Sequence, residues 1–295
     1  LTVLDAFGGE AIGLFCGFIW ALNGIITRTQ SHKVSPMLMN AIRCGSAGLC
    51  FWIALALTSS TAVYGLLSGR EWGLLIGSVL IGVTIGDTLY LWSIREIGIS
   101  RTMALVGVVP LTTLVFEHVL LGRPFPARFV LGCFLVVGGV VCLSLKSKFE
   151  KQEDAIGRLW MGALLSLSAA VLWGLSTVMI KPAIAQLTPI EANSVRMPIV
   201  ALFLFSVHRF SGARAVDASW KAIAVVAMTG VLGMGLGSYF FLMAIDMIGP
   251  AKTAVLASVA PVFGMVMAVS FLKEPVTARV AAGVFLCVGG VWLVL

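Results

Sequence analysis

Residues 98–140 read GISRTMALVGVVPLTTLVFEHVLLGRPFPARFVLGCFLVVGGV, and residues 249–291 read GPAKTAVLASVAPVFGMVMAVSFLKEPVTARVAAGVFLCVGGV. Superposed at a shift of 151, they agree at about 17 of about 43 positions, where composition alone predicts roughly one in ten. Each stretch is two apolar runs parted by a short polar break, at Gly122–Arg128 and Lys273–Arg279. Upstream the correspondence continues at a shift of 153: Trp20, Leu22, Pro36, Asn40 and Arg43 fall on Trp173, Leu175, Pro189, Asn193 and Arg196. The chain is therefore one unit written twice.

The unit belongs in lipid. Hydrophobic residues make up 59% of the chain, charged residues 11%, and the mean hydropathy is +1.05; an ordinary soluble domain carries roughly 25% charge. A helix needs about 20 apolar residues to cross a hydrocarbon core of about 30 Å. Runs of that length recur, rich in Leu, Ala and Gly and without the alternation of an outer-membrane barrel. Breaks at charges, prolines and polar clusters predict helices near 8–28, 36–57, 72–94, 100–121, 126–145, 159–180, 189–208, 219–245, 250–271 and 276–295. Nothing before the first run has the charged stretch and cleavage site of a signal peptide, so none is expected.

The long polar segment KSKFEKQEDAIGR, Lys146–Arg158, is too hydrophilic to enter the membrane. It separates a first five-helix repeat, 1–145, from a second, 159–295. An odd number of crossings per copy inserts the second upside down. The expected fold is thus an all-α membrane protein of about ten transmembrane helices in two inverted five-helix repeats. In secondary transporters that architecture sets a substrate site near the midplane, about which the halves rock.

The net charge of +7 is scattered over loops at membrane boundaries, where Lys and Arg anchor helices, and no basic patch points to nucleic acid. Cys16, Cys44, Cys50, Cys133, Cys142 and Cys287 lie inside apolar runs without metal-ligand spacing, and read as buried free thiols. No metal or other cofactor is implied.

The first-helix pattern IWALNGIITR (Ile19–Arg28) followed by Pro36 and Arg43, its second copy LWGLSTVMIK (Leu172–Lys181) with Pro189 and Arg196, and the paired stretches 98–140 and 249–291 resemble the drug/metabolite transporter superfamily in its ten-helix EamA-type exporter branch. The resemblance covers essentially the whole chain. It implies a multi-pass protein of the cell inner (plasma) membrane that exports small metabolites, amino acids foremost, with amphipathic drugs as the alternative. In one departure, LLGRPFPAR puts Arg123 where the second copy has the family's usual glutamate, Glu274.

Ionisable groups inside spans cost roughly 2.5–3.5 kcal/mol at the bilayer centre, so each asks for a partner or a task. Asp87, about 10 Å inside the third helix at 1.5 Å per residue, corresponds to Ser238 in the second copy. It is either a proton-coupling carboxylate or the fixed partner of an arginine. Arg43 and Arg196 each follow an asparagine by three residues, on one helix face. They are read as scaffold common to both copies or as a clamp for a substrate carboxylate. Arg101 and Lys252 open the fourth and ninth helices, where a cation opposes the helix dipole; they snorkel to lipid headgroups or meet an anionic substrate group. Pro110 and Pro261 predict breaks in those helices and carbonyls freed for a cavity. Gly77, Gly82 and Gly86, with Gly230, Gly233, Gly235 and Gly237, predict either bending or close helix packing.

Trp20, Asn23, Trp173 and Ser176 sit mid-span and are expected to line a pathway with Tyr90, Trp92, Tyr239 and Phe240. Glu117 and His118, near the end of the fourth helix, suit the interface or a proton relay. The expected partners are a small-molecule substrate and the lipid bilayer, with movement either coupled to protons or by facilitated diffusion, and the chain acting as a monomer or homodimer.

Other functions fare worse. An intramembrane aspartyl protease would use Asp87 in TIGD, yet its second aspartate could only be Asp246, at a helix end. No phosphate-binding loop or zinc-protease motif occurs. A channel or scaffold is the remaining rival, since inverted repeats also build channels. Lys and Arg gather in the odd-numbered connections, which puts both termini outside the cytoplasm by the positive-inside rule, whereas the resemblance implies cytoplasmic termini.

Overall fold

The computed structural model describes residues 3–30, 33–58, 61–144, 156–210, 219–264, 266 and 278–295, which are helical with short turns and, among those residues, no strand. The first copy comprises α1 (Val3–Arg28), α2 (Pro36–Thr58), α3 (Gly69–Gly98), α4 (Arg101–Leu121) and α5 (Ala127–Ser144). The second comprises α6 (Ile156–Ala183), α7 (Pro189–Phe210), α8 (Trp220–Ile248), α9 (from Pro250, described to 264) and α10 (Ala278–Val294). Among the described residues seven helices are long and apolar enough to cross a membrane, and α5 and α10 are shorter apolar helices.

Caps move some boundaries from those expected. α3 starts at Gly69 rather than near 72 because Ser68 and Glu71 form a reciprocal cap: Glu71 N donates to Ser68 Oγ, and Ser68 N donates to Glu71 Oε2 at 2.7 Å. Thr188 and Glu191 start α7 in the same way, with Thr188 N donating to Glu191 Oε2 at 2.7 Å. α6 begins at Ile156, inside the expected linker, most of which lies outside the described residues, as does Glu274. Of the cysteines, Cys50 is exposed and Cys142 half-buried, and both are free thiols like the rest.

The copies meet through corresponding surfaces. A Cβ placed on Gly45 of α2 would lie 3.7 Å from the Cβ of Ala201 of α7, and one on Gly48 would lie 3.0 Å from Pro198 Cγ. Gly45 corresponds to Pro198 and Gly48 to Ala201, so the contact maps onto itself when the copies are exchanged, with the two helices antiparallel. The same holds for α5 and α10. A Cβ on Gly132 would approach the Gly290 carbonyl oxygen at 2.7 Å, and one on Gly139 the Gly283 oxygen at 2.7 Å. Lipid tails are as apolar as leucine, so close backbone approach at small residues, rather than burial from water, holds such helices together.

The first helix of each copy is lodged in the other: α1 packs on α8 and α9, and α6 on α3 and α4. Gly9 abuts Ile248, and its counterpart Gly162 abuts Ile97. Outward faces carry exposed apolar side chains, with Trp160, Trp220 and Trp292 close to helix ends, where amphipathic rings suit the membrane interface.

Three interruptions recur in both copies. α3 carries a π-helical turn at Leu80–Gly86, and α8 one at Gly230–Gly237. Gly98 and Gly249, at φ 77° and 84°, end these helices in a backbone region open essentially to glycine alone. α4 and α9 break at residues 107–108 and 258–259, just before Pro110 and Pro261, and restart on the far side. The expected breaks are present, and the glycine-dense helices both bend and pack closely.

Candidate central site

The π turn of α3 ends at Gly86 and hands the chain to Asp87. Such a turn adds a residue to the helical circuit and rotates the residues after it, a device common at functional positions. Here the rotated carboxylate meets α6: Trp173 Nε1 donates to Asp87 Oδ1 at 2.8 Å. The approach depends on glycine, since a Cβ on Gly86 would lie 2.9 Å from Trp173 Cδ1. One turn away, Ser176 Oγ donates to Ser78 O at 2.7 Å and fills the space over Gly82. Tyr90 stacks obliquely on Trp173 with ring centres 5.1 Å apart.

Arg43 reaches this carboxylate from α2. Its Nη1 lies 3.9 Å from Asp87 Oδ2, beyond hydrogen-bond reach. Neither Nη1 nor Nε of Arg43 has a hydrogen-bond partner, although the residue is only 5% exposed. Asn40 turns aside, donating to Val83 O at 2.8 Å and to Thr88 Oγ1 at 3.3 Å, and so fastens α2 to the π turn.

The second copy repeats the frame without the acid. Trp20 Nε1 donates to Gly233 O at 3.3 Å, and Gly237 gives the indole its room. Asn23 packs on Gly233, with its Oδ1 buried and unbonded. Ser238, in the place of Asp87, donates to Asn193 Oδ1 at 3.1 Å. Arg196 Nη1 donates to that same oxygen at 3.1 Å, while Arg196 Nε and Asn193 Nδ2 are buried without partners. Asp87 lies within electrostatic reach of both arginines, and Cys44 within reach of all three charges. Arg43, Arg196 and Asp87 thus leave one positive charge in excess among these described groups.

The remaining candidates lie apart from this cluster. Lys252 Nζ donates to Glu10 Oε1 at 2.7 Å, both groups largely buried between α1 and α9, so the lysine is paired within the protein rather than snorkelling. Arg101 is half-buried. Glu117 is buried within the protein: its Oε2 accepts from Ala251 N at 2.6 Å and its Oε1 lies 3.3 Å from Arg123 Nη1, which gives it the bonds of a cap on α9. His118 is exposed and pairs through Nδ1 with Arg123 O at 3.0 Å, so the two neighbours face different ways. Trp92 is 48% exposed and bonds Glu96, outside any inner lining. Tyr239 packs on Phe240 at 5.2 Å and beside the α2–α7 contact.

Sequence reading missed Glu10, an acid near the start of α1 whose partner is 242 residues away. It also missed the two reciprocal caps, although S-x-x-E and T-x-x-E were there to be read. Among the described residues no group of three or more His, Cys, Asp or Glu comes together as metal ligands would.

Two stretches of the sequence, residues 7–145 and 160–295, match the EamA-like transporter family. An uncharacterized transporter of Bacillus subtilis strain 168, YvbV, is 25% identical over 286 residues, covering 95% of this chain and 89% of its own. An uncharacterized transporter of Archaeoglobus fulgidus is 23% identical over 284 residues, covering 96% of each. A crystal structure 20% identical in sequence superposes with a TM-score of 0.77 over 97% of this chain and 96% of its own, a likeness of fold.

Proposed function

The chain belongs to the EamA-like transporter family and is a multi-pass membrane transporter, and from that premise we propose that it exports a small metabolite, amino acids first, by alternating access between its two inverted repeats. The cell inner (plasma) membrane is its proposed site. The observation that carries this reading is the buried, under-bonded cluster of Arg43, Asp87 and Arg196 where the copies meet.

A carrier needs one site reachable from two sides and two nearly equivalent closed interfaces. The corresponding surfaces of α2 with α7 and of α5 with α10 suit such an exchange, because each maps onto itself when the halves are interchanged. Breaks at Gly98, Gly249, Pro110 and Pro261 give each half the same places to bend. Trp20, Asn23, Trp173, Ser176, Tyr90 and Tyr239 then form the wall of the path, aromatic with a few polar groups. Asp87 is the proposed proton carrier, since it is the ionisable acid of the cluster and is held by a neutral indole rather than a bonded cation.

Purified protein in liposomes tests the reading through counterflow of labelled amino acids. Saturable exchange that competing unlabelled solute suppresses is expected. Unsaturable conductance would instead point to a channel and sink the carrier.

A further inference from the structure

We propose that the carried molecule bears a carboxylate, and that Arg43 and Arg196 bind it through guanidinium N–H groups that the protein itself leaves unused; this rests on the central cluster being the carrier's site. Arg43 Nε and Nη1 and Arg196 Nε are buried without a hydrogen-bond acceptor, in residues 5% and 4% exposed. Buried donors are normally satisfied, and charged ones most of all, so three orphans on two facing helices mark an acceptor supplied from outside.

Charge points the same way. The excess of one positive charge is neutralised by one carboxylate. An amine without a carboxylate would raise the excess and offer the guanidinium groups no acceptor, whereas a zwitterionic amino acid leaves the net charge unchanged and still brings its carboxylate. The nearest acceptors do not meet these N–H groups: Asp87 Oδ1 is taken by Trp173, Asp87 Oδ2 stays 3.9 Å from Arg43 Nη1, and Asn193 Oδ1 takes only Nη1 of Arg196 beside Ser238. Guanidinium presents parallel N–H groups that match a planar carboxylate, whereas a lysine would offer only a point charge. Tyr90 and Trp173 stand beside the acid and offer aromatic faces to the rest of the molecule.

The test is a matched panel on the purified full chain: phenylacetate, phenylalanine, phenylacetamide and phenethylamine, read by thermal stabilisation in detergent and by inhibition of counterflow in liposomes. The acid and the amino acid are expected to stabilise and inhibit, the amide and amine to do neither. Equal action by the amide or amine, or no action by either carboxylate, overturns the proposal. Arg196→Gln should weaken carboxylate action by about tenfold or more, and Arg196→Lys by less, because the charge survives and the fork does not. An unchanged response in Arg196→Gln overturns the proposal; if that variant does not fold, the wild-type panel decides alone. Saturable exchange of a neutral or cationic solute would leave the transporter standing and remove the carboxylate, while absence of any saturable exchange strikes the transporter reading itself.

Discussion

Trp20 and Trp173 occupy the same depth in corresponding helices, yet one indole bonds a backbone carbonyl and the other a carboxylate. Ser238 stands where the other copy has Asp87, and that exchange decides where charge sits in the molecule. Asp87→Asn keeps an acceptor for Trp173 but leaves two buried arginines without a carboxylate. A stability loss of about 2 kcal/mol is expected, modest for a buried pair because Arg43 is not hydrogen-bonded to the acid. Adding Arg43→Gln should return part of it, and thermal unfolding of the single and double variants in detergent measures the coupling. Glu117 makes a contrasting case. As a cap on α9 it needs only an acceptor, so Glu117→Ala should cost about 1 kcal/mol and Glu117→Gln less. Equal loss of transport in both variants, with stability intact in the amide, would reveal a proton task instead. Sequence singled out Asp87, Arg43 and Arg196 because charge in a span is expensive, and placed Asn193 beside Arg196 through helical spacing. It had no means to show that Asn40 turns away or that Lys252 finds Glu10, since both depend on how helices distant in sequence are brought together.

Helix ends and interruptions were legible wherever chemistry punctuates the chain. Prolines at 110 and 261 marked real breaks, and glycines at 98 and 249 stand at real turns. The π turns were legible only as glycine density. Their rotation of Asp87 toward α6 comes from backbone geometry that composition does not encode. Gly98→Ala and Gly249→Ala should each cost about 1–3 kcal/mol, because a Cβ is forced into a region that only glycine enters comfortably. Similar melting temperatures for wild type and both variants would show that these turns bear no strain. Gly86→Ala should act differently, pressing on Trp173 and weakening its bond to Asp87, with the signature in indole fluorescence more than in stability.

The two-copy plan was the most legible property of the whole molecule, because repetition needs no knowledge of contacts. How the copies interlock was not legible, for a shift in sequence says nothing about which surface meets which. The α2–α7 contact offers a direct check. Gly45→Cys with Ala201→Cys puts two Cβ positions 3.7 Å apart, within the range a disulfide spans. On oxidation, in a background without the exposed Cys50, the pair is expected to cross-link within one chain and to arrest counterflow, with reduction restoring it. Cross-linking without arrest would mean that α2 and α7 move as one piece. A reporter on the C-terminus, active on only one side of the membrane, resolves the conflict between basic loops and family expectation over orientation.

The lodging of α1 in the second copy also bears on how the protein is made. The carbonyl that receives the Trp20 indole lies 213 residues further along the chain. At about 5–20 residues per second, synthesis takes on the order of ten to forty seconds to reach it. For that interval α1 sits in lipid with its small-residue face and polar tip uncovered, a client for whatever shields newborn helices. A chain cut short in the linker therefore leaves a half whose first helix never meets the neighbours that would cover it.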